Sequence, residues 1–232
     1  MKNPDKIKTT GPKGLASQAM VNAAIEFMEE VGDSNFSLRK LAFKIACDPM
    51  SLQYHFKSKK GLERAMAEEL TRRISTISDA SPWDERLKYL AYQYREIALA
   101  YPNTFKLMQQ FWSTGLADYI RAEYVCQALT DAGCNDNQVT SFCLGYYACI
   151  IGLAASEAGG LLRPADETDV QDIENLPDQG FELTKKLAPA FQAVESGQVF
   201  AYTVNLFIEG IRKALSINSP PSQSARRFLV DQ

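Results

Sequence analysis

Residues 37–62 read SLRKLAFKIACDPMSLQYHFKSKKGL, and their spacing decides the fold. Ser37 is a helix cap, and Leu38, Leu41, Ala42 and Ile45 then fall on one face of a short helix ending near Ala46. Cys47-Asp48-Pro49 follows. Asp48 can accept from the orphan amides of a new helix, and Pro49 is preset for its first position. Two helices this short are unstable alone, so they need a third to pack on. The partner is a first helix over residues 14–32, with Met20, Ala24, Phe27, Met28 and Val31 on one face and Gly32 as its stop. Leu41, Ala42, Ile45, Leu52 and Phe56 pack against it, which makes a helix-turn-helix.

The outward residues of the third helix indicate its use. Met50, Ser51, Gln53, Tyr54 and His55 offer hydrogen-bonding and stacking groups, and Lys57, Lys59 and Lys60 trail behind as phosphate partners. Phe56 reads as core. Charge agrees: residues 1–60 carry a net +4, the remainder a net −7, and the whole chain −3. A basic front ahead of an acidic body suits a protein with one end directed at a polyanion.

From Ser58 the pattern stays helical. Leu62, Met66, Leu70, Ile74 and Ile77 mark a fourth helix, and Trp83, Leu87, Leu90, Tyr94, Ile97 and Tyr101 a fifth. Shorter or longer helices follow over 103–112, 116–132 and 136–158. Gly159-Gly160 then opens a polar stretch to Gly180 that reads as loop. Two last helices cover 181–195, broken or kinked at Pro189, and 199–216, with Ser196-Gly197 between them. No segment reads as a strand, so the expected fold is all-α. The expected division is a helix-turn-helix domain at 1–60, a ligand-binding and dimerisation domain at 61–218, and a frayed tail at 219–232.

Composition excludes several classes. With 232 residues, 46% hydrophobic and 23% charged, the chain supports a sizeable core and is not mainly disordered. Its polar, basic start has no apolar stretch behind it, so a cytoplasmic protein is expected. Residues 137–156 are uncharged, but the strictly apolar part spans only 142–155, a length that suits a core helix rather than a membrane span. Five cysteines without a CxxC pair, and a single histidine, make neither a metal site nor a disulfide framework; Cys143 and Cys149 do not share a helix face. No GxSxG, HExxH, P-loop or dinucleotide fingerprint is present, so no enzyme and no cofactor are expected.

With GPKGLASQAMVNAAIEFMEEVG at 11–32 and the block at 37–62, the sequence resembles the TetR family of transcriptional repressors. FAYTVNLFIEGIRKAL at 200–215 resembles the last dimerisation helix of the tetracycline-repressor type of C-terminal domain. The resemblance implies that Arg39, Pro49, Met50 and Ser51 approach base edges of operator DNA. Tyr54 and His55 would lie along groove and backbone, and Lys59 would grip a phosphate. Three positions depart from the family pattern. Ala46 replaces a turn glycine, so the turn is made either without a positive φ or with strain. Gln53 replaces a tyrosine that touches phosphate, so that contact is either lost or exchanged for an amide reading a purine. Ser17 stands where an arginine is usual.

The resemblance also implies a homodimer and a small-molecule effector bound by the C-terminal domain. The apolar and aromatic candidates for its lining are Leu90, Tyr94, Met108, Phe111, Trp112, Phe142, Cys143 and Tyr146. Magnesium-tetracycline recognition in the family needs a histidine and a glutamate. Met108 and Ser156 stand in their places, so a bulkier hydrophobic or aromatic effector is expected. Small Gly145, Ala148 and Gly152, with apolar Phe200, Val204, Phe207 and Ile211, would form a four-helix contact between two copies.

Overall fold

The computed structural model describes residues 13–218, with side chains described over 17–217; the expected tail at 219–232 lies outside them. Among the described residues there are eleven α-helices, two 3-10 turns and no strand. The first four helices follow from their caps. α1 spans Lys13–Val31, α2 Leu38–Lys44, α3 Pro49–Phe56 and α4 Lys59–Arg73. Ser37 Oγ accepts the Lys40 amide at 3.3 Å, Asp48 Oδ1 the Met50 amide at 2.8 Å, and Ser58 Oγ the Gly61 amide at 3.1 Å.

The turn between α2 and α3 is made with strain: Ala46 has φ 51°. An alanine there places its Cβ against the carbonyl that a glycine would clear. The corner between α3 and α4 has a different demand. A Cβ at Gly61 would lie 2.0 Å from the Phe56 carbonyl oxygen, so no side chain fits.

The remaining helices are α5 Trp83–Ala100, α6 Pro102–Phe105, α7 Leu116–Asp131, α8 Asp136–Ala158, α9 Glu167–Glu174, α10 Glu182–Gln192 and α11 Ser196–Asn218. A 3-10 turn at Lys106–Gln110 continues α6. α5 and α8 form the centre, flanked by α7 and α11. Leu87, Leu90, Tyr94, Val125, Leu129, Tyr146, Ile150, Phe200 and Val204 fill the space between them. One continuous core joins these residues to Met20, Met28, Leu41, Leu52 and Leu62 of the front helices. α4 runs across the expected boundary at residues 60 and 61 and packs on both α1 and α7.

Five elements differ from the expectation. α4 ends at Arg73, because Ile74 is extended (ψ 124°), so Ile77 is not on it although the apolar period runs on. The expected helix over 103–112 is one short turn of α-helix and a 3-10 turn. The polar stretch expected as loop contains α9, set by a capping box in which Asp166 and Asp169 serve each other's backbone amides. Ser196-Gly197 opens α11 instead of separating two helices. Pro189 lies inside α10, which continues to Gln192.

Candidate nucleic-acid interface and ligand-binding body

α2 and α3 present the nucleic-acid candidates together. Arg39, Pro49, Met50, Gln53, Tyr54 and Lys59 are exposed, Ser51 and His55 half-buried, while Leu52 and Phe56 anchor α3 in the core. Met50 is 66% and Tyr54 60% exposed, large fractions for apolar and aromatic side chains on a folded surface. Tyr54 packs on two neighbours. Its ring meets His55 edge-on at 5.4 Å between centroids, and Lys57 Nζ lies 5.5 Å from its centre. Lys59 Nζ is 3.3 Å from Glu63 Oε1 and 5.7 Å from the centre of the Phe36 ring, so its charge is partly engaged.

One surface residue escaped the sequence reading. Phe43 is 90% exposed on α2, one turn beyond Arg39 on the same face. Its signal was present, since position 43 falls outside the apolar stripe of Leu38, Leu41, Ala42 and Ile45.

α4 joins this head to the body by polar contacts as well as packing. Arg64 Nε donates to the Thr114 carbonyl at 2.9 Å, and the Thr71 hydroxyl donates to Asp118 at 2.9 Å. Asp118 also accepts the Thr114 amide at 2.6 Å and its hydroxyl at 2.7 Å. The loop before α7 is thereby fixed against α4, and Gly115 passes so close that a Cβ would lie 2.3 Å from the Glu68 carboxylate.

In the body, five of the eight candidate lining residues, Leu90, Tyr94, Met108, Cys143 and Tyr146, are buried. Phe111 and Phe142 are half-buried, whereas Trp112 is 85% exposed and meets Tyr119 edge-on. The structure therefore turns Trp112 to solvent and away from any interior lining. The Tyr146 hydroxyl donates to the Leu87 carbonyl at 2.7 Å. Tyr147, which sequence reasoning missed, packs edge-on against Tyr94 and Tyr146, and its buried hydroxyl has no hydrogen-bond partner of normal geometry. Burial raises the Tyr94 phenol above its ordinary range, with the Asp118 charge adding to it. Burial also pushes the Cys143 thiol up to about 12, helped by neighbouring Cys126, so it stays protonated and unreactive near neutrality. Among the described residues, no cluster of three or more His, Cys, Asp or Glu is placed to hold a metal ion.

A cavity of about 580 Å³ opens elsewhere, under α9 and α10. Leu161, Leu162, Ile173, Phe191, Val194 and Val199 give it an apolar wall, and none of the eight candidate residues borders it. Arg163 at its edge is already paired with Asp166 and Asp169.

The expected dimer residues divide by facing. Phe200, Val204 and Ile211 are buried in the protomer's own core, and Gly145 faces Phe207, whose ring would lie 3.8 Å from an added Cβ. Phe200, Val204 and Ile211 are thus used within one chain, and Gly145 lies in ordinary contact range of Phe207. Ala148 is exposed, Gly152 and Phe207 half-buried, and nothing lies within 4 Å of a Cβ at Gly152. The exposed apolar row on the same two helices is Leu144, Tyr202, Leu206 and Ile217. α11 carries two apolar stripes, and the core claims the one through Phe200. α8, the one described helix long and apolar enough to cross a membrane, packs on α5, α7 and α11.

Comparison with known proteins gives one answer. Residues 78–215 match the family described as tetracyclin repressor-like, C-terminal domain. The tetracycline repressor protein class C of Escherichia coli is 25% identical over 208 residues, covering 86% of this chain and 91% of that protein. The class D repressor of Escherichia coli is 29% identical over 96 residues, 40% of this chain and 44% of that protein. Among solved structures, a possible TetR family transcriptional regulator from Streptomyces coelicolor A3(2) superimposes with a TM-score of 0.74 at 20% identity, covering 85% of this chain and 99% of that one. The TetR family protein ActR of Streptomyces coelicolor, in complex with actinorhodin, gives 0.75 at 16% identity, with 85% and 97% covered.

Proposed function

Because the chain belongs to the TetR family of transcriptional regulators, we propose that it is a homodimeric cytoplasmic repressor, released from operator DNA by a hydrophobic or aromatic effector. The observation that carries this reading is the outward row on α2 and α3: Arg39, Pro49, Met50, Gln53 and Tyr54 exposed, with Ser51 between them and Lys59 behind. Arg39 is a guanine reader by chemistry, and Gln53 has the amide that pairs with adenine. The basic segment at 1–60 acts as the head and the segment at 61–218 as the sensing and dimerising body.

Two such heads, turned by a two-fold axis, address half-sites about 34 to 36 Å apart. The exposed row of Leu144, Tyr202 and Leu206 supports pairing through α8 and α11. An effector acts by binding better to a conformer whose heads no longer match that spacing. The buried aromatic interior at Tyr94, Tyr146 and Tyr147 favours an aromatic effector. Met108 offers a thioether, and the Ser156 hydroxyl is held by the Gly152 carbonyl at 2.8 Å, which is no ligand set for magnesium-tetracycline.

A second reading is regulation by a protein partner or by no ligand; five of the eight lining candidates, Leu90, Tyr94, Met108, Cys143 and Tyr146, are packed in the core, and none borders the cavity under α9 and α10. Selection of duplexes from a random pool by the purified full chain, repeated with a panel of hydrophobic aromatic compounds, separates the two. A palindrome released by one compound supports the first reading. A palindrome that none releases supports the second, and no enrichment overturns both.

A further inference from the structure

α1 is the helix on which the reading helices rest, and one carboxylate ties it to the body. Glu29 Oε1 accepts the Thr104 amide at 2.7 Å and the Thr104 hydroxyl at 2.6 Å, while Oε2 accepts the Asn103 amide at 3.1 Å. The Asn103 side-chain amide points back to the Glu29 carbonyl at 3.5 Å. On both sides the anchor is rigid: Met28 precedes Glu29 in the core, and Thr104 and Phe105 are fully buried. Among the described residues no lysine or arginine forms a salt bridge with Glu29, so its carboxylate is satisfied by body donors. Three directional bonds to an ionised acceptor define an angle, which apolar packing between α1 and α6 alone does not.

We propose that Glu29 is a positioning residue that fixes the angle between the reading head and the body, so that two heads of a dimer meet two half-sites together. The inference rests on the dimeric operator-binding reading above. Glu29 precedes Arg39 by only ten residues, but its carboxylate bonds go to Asn103 and Thr104 and none to α2 or α3, so removing it leaves each head its own contacts and lets the head rock. What suffers is the simultaneous fit of two heads.

The test uses the full chain and its selected operator, beside a duplex carrying a single half-site. Glu29→Ala should weaken full-site binding on the order of tenfold and leave half-site binding within about twofold. Amide hydrogen exchange at Asn103 and Thr104 should quicken. Glu29→Gln, which keeps an acceptor oxygen, should fall between the two. Equal loss on both duplexes, or unchanged full-site binding, would overturn the proposal. Should Glu29→Ala fail to fold, Thr104→Val removes the hydroxyl from the body side and is read by the same outcomes. No enrichment of any duplex by the unaltered chain overturns the operator reading, and this one with it; loss on both duplexes in the variant alone overturns only this one.

Discussion

Arg95 of α5 and Glu157 of α8 form a two-pronged ion pair, Nε and Nη2 each 2.6 Å from a carboxylate oxygen, beneath the ring of Phe200. The Glu157 side chain is almost wholly buried and the Arg95 side chain three-quarters buried. Removing one partner leaves the other desolvated and unpaired. Glu157→Ala should therefore cost about 2 to 3 kcal/mol, toward the low end for a buried pair because Arg95 retains some access to solvent. Urea unfolding at neutral pH measures it.

Ala46 gives the opposite sign. Its left-handed φ is one that glycine adopts without cost. Ala46→Gly should relieve about 1 to 2 kcal/mol of strain and lose about 0.4 to 1 kcal/mol through the freer unfolded chain. A small net gain in the urea midpoint is expected, and a loss would show that the turn is not strained.

Lys59 and Arg39 should fail differently. If Lys59 holds the phosphate proposed for it, Lys59→Ala should weaken binding to every duplex and reduce the salt slope by about one. Arg39→Ala or Ser51→Ala should cost about 1 to 3 kcal/mol on the preferred site and relax preference at one position. Binding titrations on matched and mismatched duplexes across salt concentrations distinguish the two patterns.

Leu206 and Phe200 test which stripe of α11 pairs with a second copy. Leu206→Lys, on the exposed row, should yield a folded monomer in sedimentation with weak operator binding. Phe200→Ala, inside the core, should instead cost about 3 to 5 kcal/mol of stability. A dimer that survives Leu206→Lys would place the interface elsewhere.

Acid should loosen α9 first at its cap. Hydrogen bonds from Arg163 and the Asp166 amide hold Asp169 down to about 2, below its ordinary 3.8. A carboxyl lowered by folding contributes fully above its unfolded value and loses that contribution as pH falls through the folded one. Hydrogen exchange in Glu167–Glu174 should thus quicken between about pH 4 and pH 2, and Asp169→Ala should reproduce the change at neutral pH.

The sequence was most legible where single residues carry local chemistry. Ser37, Asp48-Pro49 and Ser58 each announce a helix start, and each cap bond is present. The outward set on α3 was legible for the same reason, since Leu52 and Phe56 leave only one face for Met50, Gln53 and Tyr54. α9 was missed because Val170 and Ile173 are too few apolar residues to show a period. The end of α4 was missed because Ile74 and Ile77 continue the helical spacing after the backbone has turned extended. In α11 the periodicity marks two stripes, and only tertiary packing decides that Phe200 turns inward and Leu206 outward. Trp112 shows the same limit, an aromatic whose direction its neighbours in sequence do not determine.

The forbidden Cβ at Gly61 separates two properties of this protein that usually change together. The corner after α3 is fixed by the Phe56 carbonyl oxygen, which leaves no room for a Cβ at Gly61, whereas the side chains of Met50 and Gln53 are exposed and that of Ser51 half-buried. On the proposed operator-reading role of α3, new side chains at Met50, Ser51 or Gln53 would re-address the protein to another DNA sequence while the helix keeps its direction. The alphabet of the reader is free to drift; its posture is not.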